Sequence, residues 1–415
     1  MSVFNIKDYP DVQAAIDACG EAGGGTVLIP AGTYRIRTIK LYSNMVLHLE
    51  AGAVLIGPDS IEDYACYDFP WELYKFTLPL IYAEYAHNIQ ITGKGKIDFN
   101  GRKFAKKDKI SIADNIPTEF REDAHYAMPG RDERPNRLVF FRECENIEIS
   151  GVTFADSPTW TLVFHRCSGL DLHDFRVENN LRIPNNDGIH CCGCRDVMIR
   201  GCSFCCGDDG IAITSISDES AVNERILISD CIFQSRSAAI RIGFQGGKVR
   251  DVQIRNCMIH DSNRGLTIFA GKGGFVKNVS IDGLTLDTRI FAGYWWGKGE
   301  PLVICSSEAD SPIENISFRN AVIRSENSII VSGVDGSISG VSLENLNMEL
   351  GYGTRRPWYG KQIDLSPNPG KGAPDAETSI PWLWTDGNSQ ITKERILVRR
   401  KNGETICFST EEVIS

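Results

Sequence analysis

The sequence predicts an all-β fold, a right-handed parallel β-helix (a β-solenoid) with an N-terminal capping helix. Patterns typical of helices are scarce, whereas 39 glycines and many short Val/Ile/Leu runs favour strands. A four-residue pattern with apolar second and fourth positions recurs along most of the chain, and from residue 149 its copies are 23 to 37 residues apart. Repeats of this length are typical of a solenoid, in which each coil contacts only its neighbours. Right-handedness follows from the general rule for parallel crossovers.

The repeated pattern supplies one strand of each coil, and a second strand series accompanies it. The copies of the pattern are Asn88–Ile91, Asn146–Ile149, Gly169–Leu172, Asp196–Ile199, Arg225–Ile228, Asp251–Ile254, Asn278–Ile281, Asn315–Phe318 and Gly340–Leu343. The second series passes through Leu162, Ile189, Ile211, Ile240 and Leu266. The steps vary because loops of different length are inserted into a coil of fixed geometry.

An N-terminal cap is predicted for residues 1–40. It contains the one convincing helix, at residues 11–22, whose apolar face consists of Val12, Ile16 and Cys19. Terminal units of a solenoid must cover its open core, so we assign this helix a capping role.

Residues 41–350 are predicted to form the β-helix body, with inserts near residues 99–135 and 284–301. The first insert is charged and lacks the repeat, and the sequence leaves open whether it flanks the functional groove or is a surface excursion. Residues 351–415 are predicted as a C-terminal tail packed on the body, with a short β pair near 395–408 that closes the far end.

Composition restricts the partners. The chain of 415 residues has a formal net charge of −10, which argues against nucleic acid and membranes but leaves room for a local basic patch that binds an anionic polysaccharide. No apolar run reaches the length of a membrane span, and the first residues do not form a signal peptide. With fourteen cysteines, which fit a reducing compartment, these features predict a cytoplasmic protein. They predict no particular oligomeric state.

The cysteines allow two interpretations. Six of them recur at about one coil's spacing: Cys144, Cys167, Cys194, Cys202, Cys231 and Cys257. As small apolar side chains they would stack in an interior ladder. Two Cys-x-x-Cys pairs suggest a metal site instead, although they are closer together than in zinc ribbons: Cys191/Cys194 and Cys202/Cys205. We favour the ladder and predict no metal and no other cofactor.

Two near-copies of one short strand, Asn185–His190 and Cys206–Ile213, identify the candidate site. Asp187 and Asp209 begin equivalent Asp-Gly-Ile segments 22 residues apart. Consecutive coils would bring these two acids to about 4.8 Å, with Asp208 one residue further along the rim. Crowding three carboxylates raises the pKa of at least one and leaves another ionised, as acid/base chemistry requires. A lone Asp-Gly pair, by contrast, would only make a turn.

Stacking the second strand series predicts two columns of side chains. The columns are Trp160, Asp187, Asp209, Ala238 and Arg264, and Val163, His190, Ala212, Arg241 and Thr267. Carboxylates, an aromatic ring and arginines on one outward face suit a sugar. We favour substrate contact for Arg241 and Arg264, whereas His190 fits a structural role and a substrate contact equally well. The pair Trp295-Trp296 is either a sugar platform or the core of its insert.

At these residues the chain resembles glycoside hydrolase family 28, the polygalacturonase family of right-handed parallel β-helices. The family's Asn-Thr-Asp and Gly-Asp-Asp motifs correspond to Asn185-Asn186-Asp187 and Gly207-Asp208-Asp209. The resemblance covers most of the chain and implies that Asp208 is the general acid and that Asp187 and Asp209 activate water. It also implies that Asn185 contacts substrate. Hydrolysis would then invert the anomeric configuration, with acid and base roughly 6.5–9.5 Å apart.

Two segments depart from the family pattern. The family's Gly-His-Gly aligns with Ser237-Ala238-Ala239, and its Arg-Ile-Lys, which grips a galacturonate carboxylate, aligns with Thr267-Ile268-Phe269. Either Arg241, Arg264 or Lys272 replaces the lost cations, or the sugar at the cleavage point is neutral. The segments 263–266 and 295–301 resemble a divergent bacterial branch of the family.

The predicted function is therefore an inverting glycoside hydrolase that cleaves O-glycosidic bonds in a pectin-related or other plant oligosaccharide and is not a plain polygalacturonase. One alternative is a carbohydrate-binding β-helix without catalysis, against which the retention of all three acids argues. The other is a different β-helix enzyme, either a lyase or a glycosyl transferase. A lyase would require calcium and a basic residue that abstracts a proton.

Overall fold

The protein is a right-handed parallel β-helix, and each coil contributes strands to three arrays. The computed structural model describes residues 2–69, 75–110, 124–214, 221–291, 296–334, 336–351, 363–365, 380–386 and 389–414. Strands are numbered in chain order.

The first array carries the longest strands. It contains β1 (Val3–Asn5), β2 (Gly25–Ile29), β5 (Met45–Leu49), β8 (His87–Gly93), β13 (Glu145–Ser150), β16 (Ser168–His173), β19 (Arg195–Arg200), β22 (Val222–Ser229), β25 (Lys248–Arg255), β28 (Phe275–Asp282), β31 (Ile313–Ser325), β33 (Ile338–Leu350) and β35 (Ile391–Arg400). Its members pair in parallel until the last strand, β36 (Thr405–Ile414), which runs antiparallel to β35.

The second array merges with the first at β31, which pairs with both β28 and β29. It contains β3 (Gly32–Arg35), β6 (Ala53–Ile56), β9 (Lys96–Asp98), β14 (Thr153–Ala155), β17 (Arg176–Glu178), β20 (Ser203–Cys206), β23 (Ile232–Ser235), β26 (Met258–Ser262) and β29 (Thr285–Thr288).

The third array bears the candidate site. It contains β4 (Ile39–Lys40), β7 (Ile81–Glu84), β12 (Val139–Arg142), β15 (Leu162–His165), β18 (Ile189–Cys192), β21 (Ile211–Thr214), β24 (Ala238–Ile242), β27 (Arg264–Ala270), β30 (Leu302–Ser306), β32 (Ile329–Gly333) and β34 (Leu383–Asp386). A separate antiparallel pair, β10 (Lys106–Ile110) and β11 (Tyr126–Ala127), belongs to the insert at residues 99–135.

The first residue of the recurring pattern has left-handed backbone geometry, which explains its identity. The angle φ is 55° at Asn88 and Asn146, 67° at Gly169 and 65° at Gly340. Glycine adopts this geometry without steric cost, and asparagine and aspartate tolerate it better than other residues do. The asparagines also form a ladder, because Asn146 Nδ2 donates to Asn88 Oδ1 across 3.3 Å.

The interior is apolar and stacked in register. The six recurring cysteines are buried in two ladders, Cys144–Cys167–Cys194 beside the first array and Cys202–Cys231–Cys257 beside the second. In the part of the chain that the structure describes, the one group of acids, histidines or cysteines that converges closely enough to share a metal ion consists of three aspartates. The interior-ladder interpretation is therefore supported, and the side chains of the two Cys-x-x-Cys pairs do not converge closely enough to share one ion.

Helix α1 (Val12–Glu21) covers the N-terminal end of the core. Asp11 caps it by accepting a hydrogen bond from the Ala14 N–H at 2.8 Å. Val12, Ile16 and Cys19 are buried, as predicted.

At the other end the arrays continue past residue 350, where the predicted body ends. The strands β34 and β35 pair in parallel with β32 and β33 and add a further coil. The antiparallel β35–β36 hairpin lies where the sequence predicts a β pair. No helix within the described ranges is both long and apolar enough to span a membrane.

Candidate active site

Parallel pairing in the third array aligns β15, β18, β21, β24 and β27 coil by coil. The register places Val163, His190, Ala212, Arg241 and Thr267 in one column, as the sequence predicts. The residues just before each strand are linked in the same order, since Thr161 N donates to Asp187 O and Gly188 N to Asp209 O, both at 2.9 Å. The predicted stacking of the acids therefore exists.

Asp187, Asp208 and Asp209 form one compact cluster. They offer carboxylate oxygens that all lie within 4.8 Å of one another. Their residues are 2%, 7% and 2% exposed, so that Asp208 is the most accessible of three nearly buried acids. Like charges this close and this far from water cannot all remain ionised without large cost.

The glycine after each acid is required by the approach of neighbouring coils. A Cβ at Gly188 would lie 2.4 Å from Gly210 O, and one at Gly210 would lie 2.6 Å from Ala239 O. Neither glycine has positive φ. The Asp-Gly pairs are thus more than turn signals, because only glycine lets consecutive coils bring their acids together.

The surroundings of Asp208 favour its protonated form. Burial and the neighbouring charges of Asp187 and Asp209 raise its pKa well above the ordinary range, although Arg241 opposes the shift. Its Oδ1 accepts a hydrogen bond from the Asp209 N–H at 2.9 Å, and Asn185 Nδ2 lies 3.4 Å from its Oδ2.

Asp209 is held by Arg241. The Arg241 Nε–H donates to Asp209 Oδ2 at 2.5 Å, and the Ala238 N–H donates to Asp209 Oδ1 at 3.1 Å. Burial alone would lower the pKa of Arg241, but Asp209 and, to a smaller extent, Asp187 and Asp208 raise it. Arg241 is therefore a fixed positive charge within the acid cluster.

Asp187 is held by His190. His190 Nε2 is 2.8 Å from Asp187 Oδ2, and its ring stacks on Trp160 with centroids 3.9 Å apart. Burial, Arg241 and Arg137 lower the pKa of His190 well below its usual value, against the influence of Asp209. A neutral imidazole that donates Nε2–H to Asp187 fits this environment. Trp160 and His190 are almost inaccessible, and both support the acid from within the sheet.

Arg264 lies in the predicted column but is bound internally. Its guanidinium donates to Glu300 Oε2 at 3.3 Å, to Thr267 Oγ1 at 3.4 Å and to Asp364 O at 3.0 Å. Burial raises the pKa of Glu300, while Arg264 opposes that shift. Arg264 thus connects the β-helix body to the insert at residues 284–301, through Glu300, and to the C-terminal segment that contains Asp364.

The structure separates the remaining predicted contacts. Lys272 is exposed and follows the C-terminal end of β27, whereas the acids precede the N-terminal ends of their strands. Lys272 therefore lies at the opposite edge of the third array from the acids. Trp296 is half-buried and stacks on Phe244 with centroids 5.7 Å apart. Trp295 lies outside the described residues.

The sequence did not single out several residues beside the site. Arg134 Nη2 donates to Asn185 Oδ1 at 2.9 Å, and His125 Nε2 is 3.0 Å from Gly207 O. Both belong to the insert at residues 99–135, whose described part therefore flanks the site. Its charge was the only signal, because an insert outside the repeat has no register from which a neighbour can be derived.

The pKa of Asp208 predicts how folding stability depends on pH. A carboxyl whose pKa is raised on folding contributes full stability below its unfolded pKa of about 3.9, and this contribution is lost as pH rises towards the folded pKa. Replacing Asp208 with asparagine removes that loss. Thermal unfolding should therefore show the melting temperature of Asp208→Asn rising relative to wild type as the pH increases above about 4.

The matched control is Asp171→Asn, which changes a surface carboxylate on the first array. A difference between wild type and Asp208→Asn that does not vary with pH would contradict a raised pKa at Asp208.

The arrangement combines an acid whose pKa is raised well above its ordinary value, Asp208, with two acids paired to His190 and Arg241 on the same sheet. These are the components with which enzymes cleave glycosidic bonds, and glycoside hydrolases are the class that fold and site define. The same oxygens could approach a divalent cation, but Asp209 already has Arg241 as its positive partner.

The chain belongs to the glycosyl hydrolases family 28, whose sequence model matches residues 19–356. The protein is similar in structure to an exopolygalacturonase of Thermotoga maritima, with a TM-score of 0.72, 20% identity, and coverage of 100% of this chain and 95% of the other. It is also similar to a family 28 exopolygalacturonase of Yersinia enterocolitica, with a TM-score of 0.70, 19% identity, and coverage of 99% of this chain and 77% of the other. A probable polygalacturonase of Vitis vinifera is 24% identical over 410 residues, which cover 90% of this chain and 78% of the relative.

Proposed function

We propose that the protein is an inverting glycoside hydrolase that cleaves a pectin-related or other plant oligosaccharide. The observation that carries this proposal is the cluster of three buried carboxylates, one of which has a strongly raised pKa. Family membership supports the reaction class.

Asp208 acts as the general acid. Cleavage requires a proton on the leaving oxygen as its bond to the anomeric carbon breaks. A carboxyl with a raised pKa can supply it, and Asp208 is both the most exposed of the three acids and the one whose pKa is raised well above its ordinary value.

Asp187 and Asp209 orient and deprotonate the attacking water. Both acids are fixed by neighbours, Asp187 by His190 and Asp209 by Arg241 and the Ala238 N–H. A carboxylate held in this way suits water activation better than direct attack on the sugar, which favours inversion. The closest oxygens of the acids are within 4.8 Å, nearer than the roughly 6.5–9.5 Å between carboxyls that is typical of inverting enzymes, so product stereochemistry is the direct test.

We retain Arg241, which lies in the acid cluster, and Trp296, which is linked to Arg241 through Phe244, as proposed sugar contacts. The Arg241 guanidinium lies 5.1 Å from the Phe244 ring, which stacks on Trp296. No cation occupies the positions of Ala238 and Thr267, at which the family resemblance leads us to expect a histidine and an arginine. This difference supports a substrate other than plain polygalacturonate.

The test is incubation with pectin-derived oligosaccharides that differ in acidity and branching, followed by proton NMR of the first product. We expect hydrolysis with the anomeric configuration inverted relative to the substrate. A retained configuration would contradict the roles of Asp187 and Asp209. An unsaturated product formed only with calcium would indicate a lyase, glycosyl transfer without net hydrolysis would indicate a transferase, and binding without turnover would indicate a carbohydrate-binding protein.

A further inference from the structure

Two arginines enclose one phenylalanine beside the candidate site. The guanidinium carbons of Arg236 and Arg289 lie 3.8 and 3.7 Å from the centroid of the Phe291 ring. Phe291 is 4% exposed, so the ring is held firmly between them. Stacking of this kind fixes the plane of each guanidinium and the direction of its N–H groups.

The same two arginines share Asp261. Arg236 Nη1 donates to Asp261 O at 2.9 Å, its Nη2 lies 3.5 Å from Asp261 Oδ2, and Arg289 Nε donates to Asp261 Oδ1. Burial would raise the pKa of Asp261, but Arg289, Arg236 and a hydrogen bond from Gln234 together lower it. A single ionised carboxylate thus lies against two guanidinium groups.

One donor of this cluster has no acceptor. Arg289 Nη1 is buried and makes no hydrogen bond to any described residue. An unsatisfied buried donor on a charged group is costly, and a carboxylate is the acceptor that matches guanidinium geometry best. The side chains of Arg289 and Asp261 are 18% and 34% exposed, so the cluster is partly open to solvent although Nη1 itself is covered.

The cluster lies on the Asp208 side of the site. The Arg236 N–H donates to Cys206 O at 3.1 Å, and Ser235 Oγ donates to Asp208 O at 2.7 Å. Arg182, stacked at 4.3 Å on Tyr126, adds another cation in this region.

The charges of Arg236 and Arg182 also affect the pKa of His125. Burial, with the charges of Arg236 and Arg182, lowers the pKa of His125 to about 3, and this neutral ring contacts Gly207 O. Cations therefore flank the backbone that carries Asp208.

We propose that Arg236 and Arg289 form an anion subsite that binds the carboxylate of an acidic sugar in the leaving portion of the substrate. The inference rests on the proposed function, in which Asp208 protonates the leaving oxygen, because groups on the Asp208 side then meet the leaving portion. Arg236 and Arg289 then recognise the carboxylate of the substrate, whereas the positions of Ala238 and Thr267 carry no cation. The substrate class is an oligosaccharide with a uronate on the leaving side of the cleaved bond.

The experiment compares two substrates that differ only in charge, a short oligouronide and its methyl ester. Arg289→Gln should lower kcat/KM by about tenfold or more on the free acid and change it little on the ester, because a charge-assisted hydrogen bond is lost only with the acid. Arg289→Lys should recover part of the loss. Arg200→Gln is the control, since Arg200 pairs with Asp171 on the first array. Equal losses on both substrates, or no loss on either, would overturn the proposal.

A binding measurement separates this subsite from the proposed reaction. In an Asp208→Asn background, calorimetry should show the free acid binding more tightly than the ester, with Arg289→Gln and, independently, Arg236→Gln abolishing the difference. Thermal unfolding of each variant identifies loss of fold. Acid-selective binding without any turnover in wild type would support the subsite and refute the hydrolase proposal. Turnover without acid selectivity would support the hydrolase proposal and refute the subsite.

Discussion

Asp208→Asn is expected to lower kcat by about 10²–10⁴-fold while leaving the β-helix folded. Asparagine keeps the size of the side chain and removes only the proton that the leaving oxygen needs. Because a buried acid is replaced by a neutral group, the variant should be at least as stable as wild type near neutral pH. Steady-state kinetics on the best substrate among the pectin-derived oligosaccharides, with circular dichroism and thermal unfolding, provide the measurement.

A substrate with an activated leaving group makes this test specific for acid catalysis. A nitrophenyl leaving group needs little protonation, so the penalty of Asp208→Asn should largely disappear with a nitrophenyl glycoside. Asp187→Asn is the matched comparison, because the loss of a water-activating carboxylate should affect both substrates equally. Near-normal turnover of Asp208→Asn on the natural type of substrate would rule out Asp208 as the acid.

The stacking of the site residues could be derived from the sequence, because it depends only on the spacing between equivalent residues of successive coils. Once Ile189 and Ile211 are recognised as equivalent, Asp187 and Asp209 must be neighbours, and the parallel register of β18 and β21 follows that rule. The same argument placed Arg241 one coil further on, beside Ala212. Repeats make such inferences reliable because every coil obeys one geometry.

The partners of each side chain could not be derived in this way. Arg264 has the predicted column position, yet it is bound by Glu300 and Asp364, which come from an insert and from the C-terminal region. His190 points outward from the sheet but is covered, because Trp160 stacks on it. Segments outside the repeat have no period, and they decide which outward residues meet substrate and which are buried.

The acid cluster depends on a balance of charge. Three acids within 4.8 Å are tolerated because the pKa of Asp208 is raised, Asp209 is paired with Arg241 and Asp187 is paired with His190. In the proposed mechanism Asp208 donates the proton, whereas the paired acids Asp187 and Asp209 activate water. A loss of any one partner should therefore alter the others, which makes Arg241 the most sensitive position in the site.

Arg241→Met is expected to destabilise the protein by about 3–5 kcal/mol, because it leaves the buried charge of Asp209 without a partner. The pair is almost completely buried, with side-chain exposures of 6% and 2%, so water cannot compensate for the loss. Denaturant unfolding provides the free energy. The double variant Asp209→Asn/Arg241→Met removes both charges and should recover most of the stability, as a double-mutant cycle would show.

The same variant has a predicted effect on the chemistry. Arg241 opposes the rise in the pKa of Asp208, so removing it should raise that pKa further and move the alkaline limb of the pH–rate profile to higher pH. Arg241→Lys retains the charge without the fixed Nε–H and should shift the limb less. If Arg241→Met lowered activity on every substrate with an unchanged pH profile, Arg241 would act on substrate alone. A shifted limb together with the loss of stability would instead identify it as the residue that keeps three acids within reach of one glycosidic bond.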